Sequence, residues 1–184
     1  MFLRAIDKMD AEALVALIPR LRRYARALTG ERFRADDLVQ DTLERAIAKW
    51  SLWRPGTDLR AWTFTIMHNV YVNQVKRSVL AAESLDPDAG METEDSGAAA
   101  DTLAQLSGLN EALQRLPDEQ RTVLLLVTLE GFSYDEAAHT LGLPIGTVMS
   151  RLARARARLA SLLEGGGEHG QAAPAPAVQL KVVK

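Results

Sequence analysis

Chemistry needs groups that ionise, ligate or attack, set close together, and this sequence offers few such sets. Its three histidines, His68, His139 and His169, lie far apart and share no ligand spacing. It has no cysteine, which removes a disulfide scaffold, a thiolate metal site, a cysteine nucleophile and thiol redox sensing. No glycine-rich phosphate cradle and no nucleophile motif occurs. Two sets remain. Asp36, Asp37, Asp41 and Glu44, with Arg45 and Lys49 further on, recur at helical spacing. With no histidine or phosphate loop beside them, these carboxylates read as a solvated face, not as acid–base or metal chemistry. The second set is Arg151, Arg154 and Arg158, with Arg156 nearby and no acid across 147–163. Guanidinium groups suit guanine edges and phosphates, so this set points to DNA. The alternative is a solvated basic face.

The arginines lie on a recognisable scaffold. Ser133-Tyr-Asp-Glu136 is a capping box that opens a short helix. That helix carries Ala137, Ala138 and Leu141, and Gly142 suits its end. Leu143-Pro144 turns the chain into a second helix with one apolar stripe, Val148, Leu152, Ala155, Leu159 and Leu162. The spacing predicts that Arg151, Arg154 and Arg158 face away from it. Helix, tight turn and basic amphipathic helix together suit the major groove.

The rest is also helical. Leu14, Ile18, Leu21, Ala25 and Leu28 recur at steps of three and four up to Gly30, with Pro19 placed to kink or restart the run. Val39, Leu43, Ala46, Ile47 and Trp50 mark a second helix, expected to open at Asp36 or Asp37. Pro55-Gly56 marks a loop, and Asp58 caps a third helix expected to end near Val79. This third helix carries two apolar stripes, Leu59, Trp62, Ile66 and Val70, and Phe64, Met67, Tyr71 and Val75. It is therefore either sandwiched or open to a partner on one side. Asn69, Asn73, Gln74, Lys76 and Arg77 toward its end suit unstacked single-stranded bases. Leu103, Leu106, Leu113 and Leu116, stopped by Pro117, mark a fourth helix, and Val123 to Val127 the core of a fifth.

The fold class expected is all-α: two small helical domains, 10–80 and 102–164, joined by a flexible acidic linker, 81–101, and followed by a flexible tail, 165–184. Of the 184 residues, 47% are apolar and 25% charged, enough for a core. The net charge of −2 hides segregation, for 78–110 holds no Lys or Arg and seven acids, while 147–163 is purely basic. Such asymmetry suggests a polyanion partner. No apolar run approaches the roughly 20 residues of a membrane span. The first residues, with Asp7 among them, do not read as a secretory signal, so a cytoplasmic location is expected.

Both halves resemble one family. Asp36-Asp-Leu-Val-Gln-Asp-Thr-Leu-Glu-Arg-Ala46 and Leu59-Arg-Ala-Trp-Thr-Phe-Thr-Ile-Met-His-Asn69 resemble region 2 of the extracytoplasmic-function (ECF) sigma factors of bacterial RNA polymerase. Leu116-Pro-Asp-Glu-Gln-Arg, Glu130-Gly-Phe-Ser-Tyr-Asp-Glu and Leu141-Gly-Leu-Pro-Ile-Gly-Thr-Val-Met-Ser-Arg resemble region 4. The resemblance spans about 14–163, and is similar to the group controlling the general stress response of alphaproteobacteria.

The resemblance implies a promoter-recognition subunit, not an enzyme, with no cofactor and no small-molecule substrate. Core RNA polymerase would be held at its β′ clamp helices by Asp37, Leu38, Gln40, Asp41, Glu44 and Arg45, and at its β flap by the second domain. The −10 element would meet Trp53, Asn69, Asn73, Lys76 and Arg77, with a flipped base captured by the loop 51–57 and the helix beyond. The −35 element would meet Thr147, Met149, Ser150, Arg151 and Arg154. Met149 departs from the family, which usually has Lys or Arg there. An anti-sigma factor is a further implied partner, and the apolar stripe of the third helix and the face near Val123 to Val127 are its expected contacts. The runner-up is a sigma-like mimic that sequesters an anti-sigma factor without binding DNA, but the recognition-helix arginines such a mimic should lose are present. A polymerase-independent DNA-binding regulator would leave the 36–46 block and the two-sided third helix unexplained.

Overall fold

The structure, a computed structural model, describes residues 7–84 and 100–164. Most of the predicted acidic linker and the whole predicted tail lie outside the described residues. Every regular element among the described residues is helical: α1 (Lys8–Thr29), α2 (Arg32–Ala48), a short 3-10 turn (Trp50–Leu52), α3 (Leu59–Ser84), α4 (Ala100–Gln114), α5 (Asp118–Thr128), α6 (Tyr134–Leu141) and α7 (Ile145–Glu164). No helix among them is long and apolar enough to cross a membrane.

Local signals set most of the boundaries. Asp7 caps α1 by accepting from the Asp10 amide at 2.8 Å. Gly30, at φ 75°, ends α1 in the left-handed conformation that side chains resist. Pro19 does not restart α1, which runs through it unbroken. The second helix begins at Arg32, one turn before the expected acids, with Glu31 extended ahead of it and no side-chain cap. Asp36 and Asp37 therefore sit inside α2 as surface residues. Asp58 caps α3 as expected, accepting from the Arg60 and Ala61 amides at 2.8 and 3.2 Å. α3 continues past Val79 to Ser84.

α3 is the central helix, and it is sandwiched. On one side it packs on α1 and α2, and on the other against α6. Ile66, Val70, Phe64, Met67 and Tyr71 from its two stripes are all buried, and Leu59, Trp62 and Val75 are partly buried. Tyr24 of α1, Phe64 of α3 and Phe132 beyond α5 form an aromatic ladder, with ring centroids 5.2 and 5.4 Å apart in edge contacts. Each such pair contributes about 0.5–1.5 kcal/mol beyond burial. The expected exposed stripe of α3 and the Val123–Val127 face thus lie against other helices of this chain: Val123 to Leu126 are buried and Val127 partly so.

Candidate nucleic-acid interface

The helix-turn-helix forms as its sequence dictates. Ser133 Oγ accepts from the Glu136 amide at 3.2 Å, and Glu136 Oε2 accepts from the Ser133 amide at 2.7 Å. The Ser133 amide first, then the Ser133 hydroxyl, and the Arg60 guanidinium after them, hold the Glu136 carboxyl below its ordinary pKa. Gly142 takes φ 63°, and the Leu143 amide closes the turn on Ala138 O at 2.9 Å. Val148, Leu152 and Ala155 bury one face of α7, and α5 and α6 cover it.

That burial sets which residues of α7 reach outward. Met149 and Ser150 are exposed, as are Arg154, Arg156 and Arg158, while Thr147 is half-buried. Arg154 folds back along its own helix, donating from Nε to Ser150 O at 3.2 Å and from Nη2 to Ser150 Oγ at 3.3 Å. Arg151 departs from the predicted outward stripe. Its side chain is 21% exposed and pairs with Glu119 of α5 at 2.6 Å. It lines a pocket with His68 and Val72 of α3, Thr122 of α5, and Leu141 and Leu143. Burial first, and the Arg151 charge second, hold the His68 imidazole below its ordinary pKa. The outward direction fails because α7 packs on α5, and an arginine in its second turn can reach the Glu119 carboxylate there.

On α3, Asn69, Asn73, Lys76 and Arg77 are exposed, and their spacing of four, three and one gathers them along one side of the helix. Trp53 does not join them. It is 8% exposed and packs on Trp50 with centroids 5.0 Å apart, while Trp50 meets Trp62 edge-on at 5.7 Å. Its large apolar surface is better buried, and the rest of the loop 51–57 stays exposed around it.

On α2, Asp37, Gln40 and Glu44 are exposed, and Gln40 Nε2 donates to Glu44 Oε1 at 3.0 Å. Asp41 and Arg45 are half-buried, and Asp41 accepts from Gln74 of α3 at 3.0 Å. Leu38 is 0% exposed. It lies on the core face of α2 and has no surface to offer the polymerase, so it leaves the expected set.

The sequence reading missed the junction between the halves. Glu130 has a fully buried side chain, paired at 2.9 Å by Arg20 and at 2.9 Å by Arg23, both from α1. Arg60 of α3 donates to Glu130 O at 3.2 Å, pairs with Glu136 at 3.2 Å, and lies 4.2 Å from the Phe132 ring centre. Nearby, Arg121 donates to Tyr71 at 3.0 Å and to Asp118. The available signal was an acid, Glu130, directly after an apolar run.

Two family models match. Residues 14–68 match the sigma2 domain of PhyR, and residues 106–159 match sigma-70 region 4. The chain is 39% identical over 159 residues to the ECF RNA polymerase sigma factor EcfG of Rhodopseudomonas palustris, covering 82% of each chain. The chain belongs to the ECF sigma factors. A sigma factor is a transcription factor and not an enzyme. Among solved structures, this sigma factor is similar to RpoE in its complex with the anti-sigma factor NepR from Bartonella quintana. The identity is 34% and the TM-score 0.70, covering 86% of this chain and 98% of that one. It also shares a fold with the anti-anti-sigma factor PhyR from Bartonella quintana, at 20% identity and TM-score 0.56, over 82% of this chain and 49% of that one.

Proposed function

We propose that this sigma factor joins core RNA polymerase, carries it to promoters with −10 and −35 elements, and starts transcription of a stress regulon. The observation that carries this reading is the presence on one chain of a formed helix-turn-helix with an arginine-bearing second helix and of a separate helix, α3, presenting Asn69, Asn73, Lys76 and Arg77. A subunit that opens DNA needs one reader of duplex and one trap for single strand. Flipping a base costs a few kcal/mol, which stacking and a shaped pocket partly recover. In this reading α7 enters the −35 major groove, and α3 with the exposed loop 51–57 meets the −10 strand. The β′ clamp helices meet Asp37, Gln40 and Glu44, with Asp41 and Arg45 at the edge. The second domain meets the β flap.

An anti-sigma factor is proposed as the regulator, supported by the likeness to RpoE, whose structure is a complex with NepR. With no cysteine in the chain, a redox signal would be sensed by that partner. The proposed location is the cytoplasm, where polymerase and promoter are met.

A second reading, a sigma-like mimic that only sequesters an anti-sigma factor, draws on the match of 14–68 to the sigma2 domain of PhyR. The arginines retained on α7 favour the first. Run-off transcription with core polymerase and a genomic promoter library tests both. Discrete promoter-dependent transcripts are expected; their absence, with a folded chain and active core, would leave the mimic.

A further inference from the structure

Along α7 the exposed side chains change in kind. The exposed arginines, Arg154, Arg156 and Arg158, come after its second turn. The first two turns instead expose Ile145, at 39%, and Met149, at 47%. Four residues apart, these two lie on one side of the helix. Arg151, the only cation of those turns, is half-buried and paired with Glu119 at 2.6 Å. The Ser150 hydroxyl is engaged within the helix, donating to Thr147 O at 3.1 Å and accepting from Arg154 Nη2 at 3.3 Å. What the leading part of α7 offers outward is thus an uncharged, apolar pair.

The chemistry of that pair selects what it can read. A methionine thioether donates no hydrogen bond and accepts only weakly. It has nothing for a phosphate oxygen or for the N7 and O6 acceptors of purines, and little for the amino groups of adenine and cytosine. The one apolar feature that a base edge presents in the major groove is the thymine C5-methyl. The leading residues of a recognition helix are the ones that reach base edges. We infer that Met149 is a specificity-determining residue for thymine: its flexible side chain covers the C5-methyl of one thymine in the −35 groove, with Ile145 beside it excluding water. This rests on the proposed entry of α7 into that groove.

Such a contact has a signature of its own. It neutralises no phosphate and releases no counterion, so its strength does not change with salt. It also depends on a single methyl group of the DNA, which can be removed without touching any hydrogen-bonding edge. Burying one methyl raises affinity about fourfold.

The test measures holoenzyme affinity for a promoter taken from the run-off assay, with each thymine of its −35 element replaced in turn by deoxyuridine. At one position this should weaken the wild type about fourfold. Met149→Ala, a change at an exposed helical position, should keep the fold, bind the thymine promoter at least that much more weakly, and be indifferent to deoxyuridine at that position. Its salt slope should match the wild type, whereas Met149→Lys should steepen the slope by about one. The thymine contact is overturned if no position senses its methyl, if the penalty persists undiminished in Met149→Ala, or if Ile145→Ala alone abolishes it. A holoenzyme indifferent to every base change in the −35 element would overturn the proposed function and the contact with it. One that senses base changes but no deoxyuridine overturns the contact alone.

Discussion

Arg151 Nη2 lies 2.6 Å from Glu119 Oε2, whereas Arg154, one turn further along α7, bonds among the described residues only to Ser150 of its own helix. Two arginines that look equivalent in sequence are held differently. At the proposed promoter contact, Arg151 would leave the Glu119 carboxylate and Arg154 would leave only Ser150 of its own helix. The Glu119 carboxylate is 69% exposed, so this pair contributes about 0–1 kcal/mol to stability and can be exchanged for a base.

Arg151→Ala should therefore weaken promoter binding of the holoenzyme by roughly 1–3 kcal/mol and relax specificity at one base pair. Arg154→Ala should weaken all promoters alike and lower the salt slope by about one. Arg156, exposed and off that stripe, should matter less than either. Affinity against salt, on matched and single-base-changed −35 elements, checks this. Uniform loss for Arg151→Ala would remove it from the base edges.

The capping box predicts a pH effect. The Glu136 carboxyl is held below its ordinary pKa by Ser133, backbone and then side chain, and next by Arg60. A carboxyl depressed in the folded state adds stability above its unfolded pKa and loses it as pH falls through the folded one. Acid titration should thus erode stability from the ordinary carboxylate range downward, and Glu136→Gln should flatten that slope. Ser133→Ala should cost about 0.5–2 kcal/mol at neutral pH. Urea melts across acidic pH read both, and an unchanged slope in Glu136→Gln would refute the linkage.

Trp53 predicts a split between stability and recognition. It is buried against Trp50, so Trp53→Ala should cost about 3–5 kcal/mol. Trp53→Phe should keep most of the stability and the same −10 preference. Thermal melts and −10 strand binding separate the two effects. Loss of −10 binding by Trp53→Phe with full stability would return Trp53 to the interface.

Asp37 predicts a partner effect without a folding effect. Asp37 is exposed on α2, whereas Asp41 accepts from Gln74. Asp37→Ala should weaken core polymerase binding with an unchanged melting temperature. Asp41→Ala should weaken it too and also lower the melting temperature, since it cuts a tie between α2 and α3. Core affinity that Asp37→Ala leaves intact would remove this face from the polymerase contact.

The helices and the helix-turn-helix were legible because their signals are local. Asp58, Ser133 with Glu136, and Gly30 act within one turn of chain, and each caps the helix it was expected to cap. The two-sided α3 was legible as a fact but not in its resolution, because periodicity does not say what lies opposite a face. Trp53 and Leu38 were misjudged for the same reason: a block known for its surface contacts also contains the residues that hold it together. The Arg20, Arg23 and Glu130 cluster was invisible since its partners are more than a hundred residues apart. Nothing in the spacing of either segment specifies the other.

The cluster of Arg20, Arg23 and Glu130 also sets where this molecule's charge can be felt. With the halves together, the guanidinium groups of Arg20, Arg23 and Arg60 face carboxylates and carbonyls of the second half. The net charge of −2 therefore says little about the local potential on that side of the first half. Attraction to a polyanion follows local potential, not the total. Three arginines that look available in the sequence are thus paired inside the molecule, and the exposed basic groups of α3 and α7 are the ones left to meet a polyanion.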